Sequence, residues 1–461
     1  MEQKYVKEAF DTNWVVPLGP NVNGFEKDLE EFVGEGKRVV ALSAGTAAVH
    51  LGLLAAGVKP GDEVIVQSFT FCASTHPVTY LGATPVLVDS EPDTWNIDPE
   101  LMEEAIKDRK AKTGKKPAAI VPVALYGMPY KADRIMEIAN KYGIPVVEDA
   151  AEGFGSRYKG QVLGTFGKYG VLSFNGNKMI TTSGGGALIT ANDDEWREIM
   201  MYATQYRESY PYYQHEKIGY NYRMSNICAG IGRGQMTVVE EHLAHHKHVQ
   251  KMYEELLADV PGVKVHSQPN ATLGSGPKVK SDILGTGPSV KSQSDVNIWA
   301  SPEKGTDVPV YDSNYWLCTI TIDPEVKVKG QEDAYKTIVT GAVGGAAGVI
   351  HAASSAHTDC EPNANVEAMR VALDKANIEA RPVWKPMHKQ PVYCRTSEKG
   401  IVNSEKLPSG AECLTYDTSV AYVNGVSEGI FKIGMCLPAG PYVSDDDVRY
   451  IVETIKENIV G

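Results

Sequence analysis

In "AAIVPVALYGMPYKADRIMEIANKYGIPVVEDAA", Ala118 to Ala151, two continuous apolar runs flank a helix-like segment. That segment places Ile135, Ile138, Ala139 and Tyr142 at helical spacing and stops at Gly143. The flanking runs do not alternate apolar with polar, which is how strands covered on both faces read. Strand, helix and strand in that order imply a parallel sheet sandwiched by helices. The pattern extends from Arg38 to Thr190, where "RVVALSAG", "EVIVQS", "TPVLVDS", "YGVLSF" and "GALIT" are further runs and "PELMEEAIKDRKAKT" a further helix. The sequence therefore predicts an α/β fold with a mostly parallel sheet. Ligands of such sheets sit beyond the carboxyl ends of the strands, and the polar residues of interest here fall at the ends of the runs.

At 461 residues the chain is long enough for two unequal domains. The expected division is an N-terminal arm (1–20), a large domain (21–240) and a smaller α+β domain (241–461). Two stretches poor in core residues, about 269–308 and 326–362, read as insertions. The net charge of −13 offers no basic surface to nucleic acid or anionic lipid. No apolar run is long enough to cross a bilayer, and no signal-peptide core is present. The seven scattered cysteines, without a C-x-x-C pair, suit reduced thiols better than a disulfide frame or a metal site. These features predict a cytoplasmic enzyme without a metal, and no membrane or nucleic-acid partner.

The chemistry centres on Lys178 in "SFNGNKMITTSGGGALIT", Ser173 to Thr190, a tight loop between two core runs. An amine kept from water is easier to leave neutral, and a neutral amine can condense with a carbonyl. Pyridoxal phosphate asks for such an amine, and also for a carboxylate at its ring nitrogen, a phosphate seat and a flat cover. Asp149, ending "IPVVED", supplies the carboxylate or else caps the next helix; with Lys178 downstream, the cofactor reading leads. Gly45 and Thr46 in "SAGTAAVH" stand at a strand exit and helix start, either as a phosphate seat or as an ordinary cap. Ser173 could add a hydroxyl or bond backbone, and Phe71 in "SFTFCAST" could cover the ring or be plain core.

Taken together, "SAGTAAVHLGLLAAGVKPGDEVIVQSFTF", "VPVALYGMPYKADRI", "VVEDAAEGFGSRYKGQVLGTFGKYGVLSFNGNKMITTSGGGALIT" and "GYNYRMSNICAGIGRGQM" resemble the DegT-type nucleotide-sugar aminotransferases. The likeness runs from about Val6 to the C-terminus, except for the two insertions. It implies a fold-type I, aspartate aminotransferase-like pyridoxal phosphate enzyme, in which Lys178 and Asp149 are catalytic. By the same resemblance Gly45, Thr46, Phe71, Glu152 and Ser173 surround the cofactor. Asn221 reaches the cofactor of a neighbouring subunit, which implies a homodimer with shared sites. Arg223, Arg381 and His388 are implied more loosely as substrate contacts; the other readings are an acid-paired arginine and a structural histidine. Glu152 and "NGNK" look most like transaminases that use L-glutamate to aminate UDP-4-keto-6-deoxy-N-acetylhexosamine. A GDP- or dTDP-linked 4-keto or 3-keto sugar is the alternative. Ala124 departs from the many members that carry His at its position.

Overall fold

The computed structural model describes residues 1–271, 308–335, 360–394 and 403–460. In chain order, α1 (Glu2–Asp11) and α2 (Pro20–Val33) lead to β1 (Arg38–Leu42), α3 (Gly45–Ala55) and β2 (Glu63–Gln67). Then come α4 (His76–Tyr80), β3 (Thr84–Val88), α5 (Pro99–Thr113), β4 (Ala119–Val121), α6 (Ala132–Tyr142) and β5 (Val147–Asp149). The short β6 (Arg157–Tyr158) and β7 (Gln161–Val162) precede β8 (Tyr169–Ser173) and β9 (Gly186–Thr190). Helices α7 (Asp193–Ala203), α8 (Asn226–Met236) and α9 (Val239–Leu257) lead out of the sheet.

The strands form one mixed sheet around a parallel centre. Side by side run β1, β9, β8 and β5, and then β4, β2 and β3; two parallel bridges, Ile120 to Val146 and Val123 to Asp149, join β5 to β4. Strand β9 runs against both its neighbours, so β1, β8, β5, β4, β2 and β3 all end at one edge. Apolar clusters cover both faces, including Ile65 and Val86 on one and Val64 and Leu87 on the other. This two-sided burial explains the continuous apolar runs.

The quoted stretch folds much as its pattern predicts. Ile135, Ile138 and Ala139 of α6 are buried, and Gly143 ends the helix in the left-handed region at φ 60°. One run is shorter than expected: the ladder of β4 ends at Val121. Pro122 has no N–H to give, though its carbonyl accepts from Asp149 at 2.9 Å. Beyond it the chain turns through Tyr126, at φ 55°, and Gly127.

The second body is an antiparallel sheet in the order Val263–Val265, Cys318–Ile322, Gly434–Leu437, Arg381–Pro382. It shares a core with α9 and the helices Ala364–Lys375 and Asp445–Asn458. Three segments bear on the expected division. Residues 403–423, expected in the small domain, return to the large one: Val420–Val423 pairs in parallel with β3, and two antiparallel strands follow outward. They cover an edge of β3 that would otherwise be open. The N-terminal arm contains α1, which packs on α8 with Gln235 bonded to Glu2 at 2.7 Å. The insertion expected at 269–308 lies mostly outside the described residues, as do 336–359 of the second. Lys327–Val328, expected inside that second insertion, instead pairs with Ile459–Val460.

Candidate active site

At the carboxyl edge of the large sheet lies a cavity of about 390 Å³. The ends of β1, β2, β5 and β8 each deliver part of its wall: Gly45 and Thr46, Thr70 and Phe71, Asp149 and Glu152, Ser173 and Lys178. Lys178 follows a turn in which its N–H bonds the Asn175 carbonyl at 3.0 Å. Its Nζ lies 3.5 Å from Glu152 Oε1 and 3.9 Å from the centre of the Trp316 ring. The lysine that the sequence singled out is thus tucked inside, with 13% of its side chain exposed.

Asp149 is buried; Ser74 Oγ donates to its Oδ2 at 2.7 Å and the Ala151 N–H to its Oδ1 at 3.1 Å. Burial pushes its pKa up, against the pull of those donors and of Lys178. Glu152 is likewise pushed up by burial, with Lys178 and the Tyr126 N–H pulling the other way. Two buried carboxyls facing one lysine make a site that favours a further cationic partner.

Helix α3 opens at this cavity with Ala44 at its N-cap and no side chain capping it. Its first-turn N–H groups are therefore free for an anion. Space for one is kept by small residues: a Cβ on Gly186 would strike the backbone of Ala44 and Gly45, and one on Gly45 would press on Ser173. Phe71 is half exposed, its ring centre 5.5 Å from that of Trp384. Ala124 is buried, its N–H bonded to the Asp149 carbonyl at 3.1 Å.

The remaining expected residues do not line the cavity. Arg223 pairs with Glu26 and donates to the Ala41 carbonyl at 3.0 Å, with only 8% of its side chain exposed. Its acid-paired reading is the one the geometry supports, because β1 needs that buried carboxylate, which accepts from the Ala41 N–H at 2.8 Å. His388 is buried, with Nδ1 2.6 Å from Ser68 Oγ, as a structural histidine would be. Arg381 is partly exposed and pairs with Glu379. Asn221 is exposed and bridged to Thr204.

Residues 1–279 match the model of the DegT/DnrJ/EryC1/StrS aminotransferase family. The chain belongs to that family. It is 37% identical over 456 residues to the GDP-perosamine synthase of Escherichia coli O157:H7, covering 99% of this chain and 95% of that one. Over 454 residues it is 36% identical to EpsN of Bacillus subtilis (strain 168), 98% of this chain and 92% of the other. Among solved structures, a family aminotransferase from Brucella abortus has a TM-score of 0.72 at 24% identity, covering 99% and 94% of the two chains. A sugar aminotransferase of Streptococcus pneumoniae in its PMP form gives 0.70 at 22%, with the same coverage. The fold is that of fold-type I aminotransferases.

Pyridoxal phosphate is this aminotransferase's cofactor, and the cavity fits it. The uncapped start of α3 with Thr46 and Ser173 would take the phosphate, Asp149 the ring nitrogen, and Lys178 the aldehyde. Several residues of the aminotransferase's site went unmarked in its sequence. Trp316 and Trp384 line the cavity, Ser74 holds Asp149, and Asn314 Nδ2 donates to the Glu152 and Phe154 carbonyls, each at 2.9 Å. Trp316 and Trp384 lie in "NYWL" and "PVWKP", where a lone tryptophan reads as core; only the crossing of distant segments reveals them. Among the described residues, no group of three or more His, Cys, Asp or Glu could hold a metal, and no helix is long and apolar enough to cross a membrane.

Proposed function

We propose that this aminotransferase moves the amino group of L-glutamate onto the keto carbon of a nucleotide-linked 4-keto-6-deoxyhexose, acting as a homodimer with shared sites. The observation that carries the reading is the placement of the Lys178 amine between Glu152 and Trp316, in a cavity whose other wall holds Asp149. Bound there, pyridoxal phosphate supplies an aldehyde to carry nitrogen and a ring to withdraw electrons. Lys178 takes the proton from the α-carbon of the donor and later gives one to the sugar carbon that receives nitrogen, a general acid–base role. Asp149 keeps a proton on the ring nitrogen, and Glu152 holds the amine on the reacting side. A second cavity of about 320 Å³ shares Thr70, Phe71 and Trp384 with the first and extends it past His76 and Lys385, as a nucleotide sugar requires. Trp384 Nε1 is buried without a partner among the described residues and offers a donor in that shared wall.

The sugar read from the sequence is UDP-4-keto-6-deoxy-N-acetylhexosamine. A second reading, a GDP-linked sugar, is supported by two GDP-perosamine synthases, which match this chain along nearly its whole length. The UDP-2-acetamido-2-deoxy-3-oxo-D-glucuronate aminotransferase of Pseudomonas aeruginosa matches 53% of this chain. The test is a panel of UDP-, GDP- and dTDP-linked keto sugars with L-glutamate, following 2-oxoglutarate release and identifying each amine by NMR. One nucleotide should dominate. Absence of 2-oxoglutarate with every sugar would overturn the proposal.

A further inference from the structure

We infer that Trp316 and His242 are positioning residues for Lys178, which hold in place the two peptide carbonyls on either side of it. The inference rests on the reading of Lys178 as the catalytic amine. Both neighbours of Lys178 are tied to groups from elsewhere in the chain. The Asn177 carbonyl accepts from Trp316 Nε1–H at 2.6 Å, and the Met179 carbonyl lies 3.2 Å from His242 Nδ1. A carbonyl can only accept, so His242 carries its proton on Nδ1. The lysine's backbone is therefore pinned on both sides, and the Trp316 ring lies against its amine, with Nζ 3.9 Å from the ring centre.

The two pins are themselves connected. One turn along α9 from His242, His246 Nδ1 donates at 3.0 Å to the carbonyl of Tyr315, the residue before Trp316. Tyr315 stands at φ 48°, in the left-handed region that a side chain rarely adopts, so this carbonyl is aimed by its partners rather than by preference. On the other side, Asn314 ties the same short segment to the Glu152 carbonyl. Residues 314–316 thus join three things: the helix that leads into the small domain, the loop of Lys178, and the acid that faces the amine. A loop rich in Gly and Thr has little stiffness of its own. Two external bonds to adjacent peptide units supply it, and a reacting amine must be held within a fraction of an ångström.

The test compares wild-type protein with Trp316→Phe, which keeps a ring but loses the N–H, and with His242→Leu and His242→Gln. Apo-protein is mixed with pyridoxal phosphate, reduced with borohydride at timed intervals, and the modified peptide is identified by mass. Wild type should label at Lys178. Trp316→Phe should label at least about tenfold more slowly and lose a similar factor in kcat, while KM for the sugar changes less than about twofold. His242→Leu should show a smaller slowing, and His242→Gln, which can still donate, should recover part of it. Because His242 is half-buried on α9, its variants report even if Trp316→Phe does not fold. Equal labelling rates in wild type and every folded variant would overturn the positioning role while leaving the catalytic lysine intact. No label at Lys178 in wild type would overturn both.

Discussion

Around Lys178, residues 43–185 contribute charge, hydroxyls, free N–H groups and the ring of Phe71, whereas Trp316 and Trp384 contribute rings alone. The first wall comes from the carboxyl ends of strands of a single sheet, with Thr46, Thr70, Asp149, Glu152, Ser173 and Lys178 each between zero and five positions past the last residue of its strand. The second comes from segments far along the chain that are not strands where they touch the cavity. Charge and hydroxyls are needed where bonds are made, so their positions follow from the chemistry of the cofactor. Rings and carbonyl bonds give position and dryness, and they can be delivered from anywhere that the fold brings close. The contrast predicts that variants in the first wall stop the reaction, while variants of buried pairs that touch neither the cavity nor the loop of Lys178, such as Arg223 with Glu26, act on stability.

The strongest break in that contrast would come from the sheet-end wall. Lys178→Ala should lower kcat by about 10³–10⁴-fold and abolish the visible absorbance of the cofactor-loaded protein, with thermal stability nearly kept. Asp149→Ala should cost about 10²–10³-fold even where cofactor still binds, read as kcat at saturating pyridoxal phosphate. Near-normal turnover in either variant would remove chemistry from that wall.

Next in size is Arg223, expected from the family likeness to face substrate and found bonded to Glu26 behind β1. Burial holds the Glu26 pKa up even beside that guanidinium, so the pair has little solvation to spare. Arg223→Gln leaves an uncompensated buried carboxyl and should cost about 3–5 kcal/mol of stability, measured by denaturant unfolding. Adding Glu26→Gln should return part of it, since two neutral amides can bond each other. KM for the nucleotide sugar, measured on folded enzyme at low temperature, should stay within about twofold of wild type. A large rise in KM with unchanged stability would restore the substrate role.

Legibility in the sequence follows the same division. The strands of the parallel centre announced themselves because burial on both faces leaves only apolar residues, and α6 did so through its spacing and Gly143. Asp149 and Ser173 could be found because each ends such a run, and Lys178 because a lone amine sits in the tight loop between two of them, whereas Glu152 came only with the family likeness. Strands 403–423 could not be assigned to the large sheet, since a parallel partner can lie any distance along the chain and local pattern does not name it. Trp316 and His242 stayed hidden for a related reason: both bond backbone carbonyls, which carry no residue identity. Arg223 and His388 each kept two readings in the sequence because an arginine or a histidine has the same letter whether it meets a ligand or a buried acid or hydroxyl.

His388 gives the smallest and most selective test. It is packed against Ser68 with its pKa held down to about 4, chiefly by burial, against an ordinary value of about 6.5. Between those values the unfolded chain binds a proton that the folded chain refuses. The stability tied to His388 is therefore whole above about pH 6.5, drains as pH falls, and is gone by about pH 4. Glu148, Asp149 and Glu152, all pushed up by burial, work in the opposite sense: folding keeps their protons, so their contribution is present at low pH and is lost as pH rises through their raised values. The wild-type curve mixes the two, and only a difference isolates the histidine. Removing the titrating ring in His388→Gln should make the fall in Tm between pH 6.5 and 4.5 smaller than in wild type by about 2 °C or more, with KM for the sugar unchanged. An equal fall in both proteins would mean that His388 takes up its proton without strain, which a ring sealed against Ser68 cannot do; a raised KM would instead bring it back among the substrate contacts.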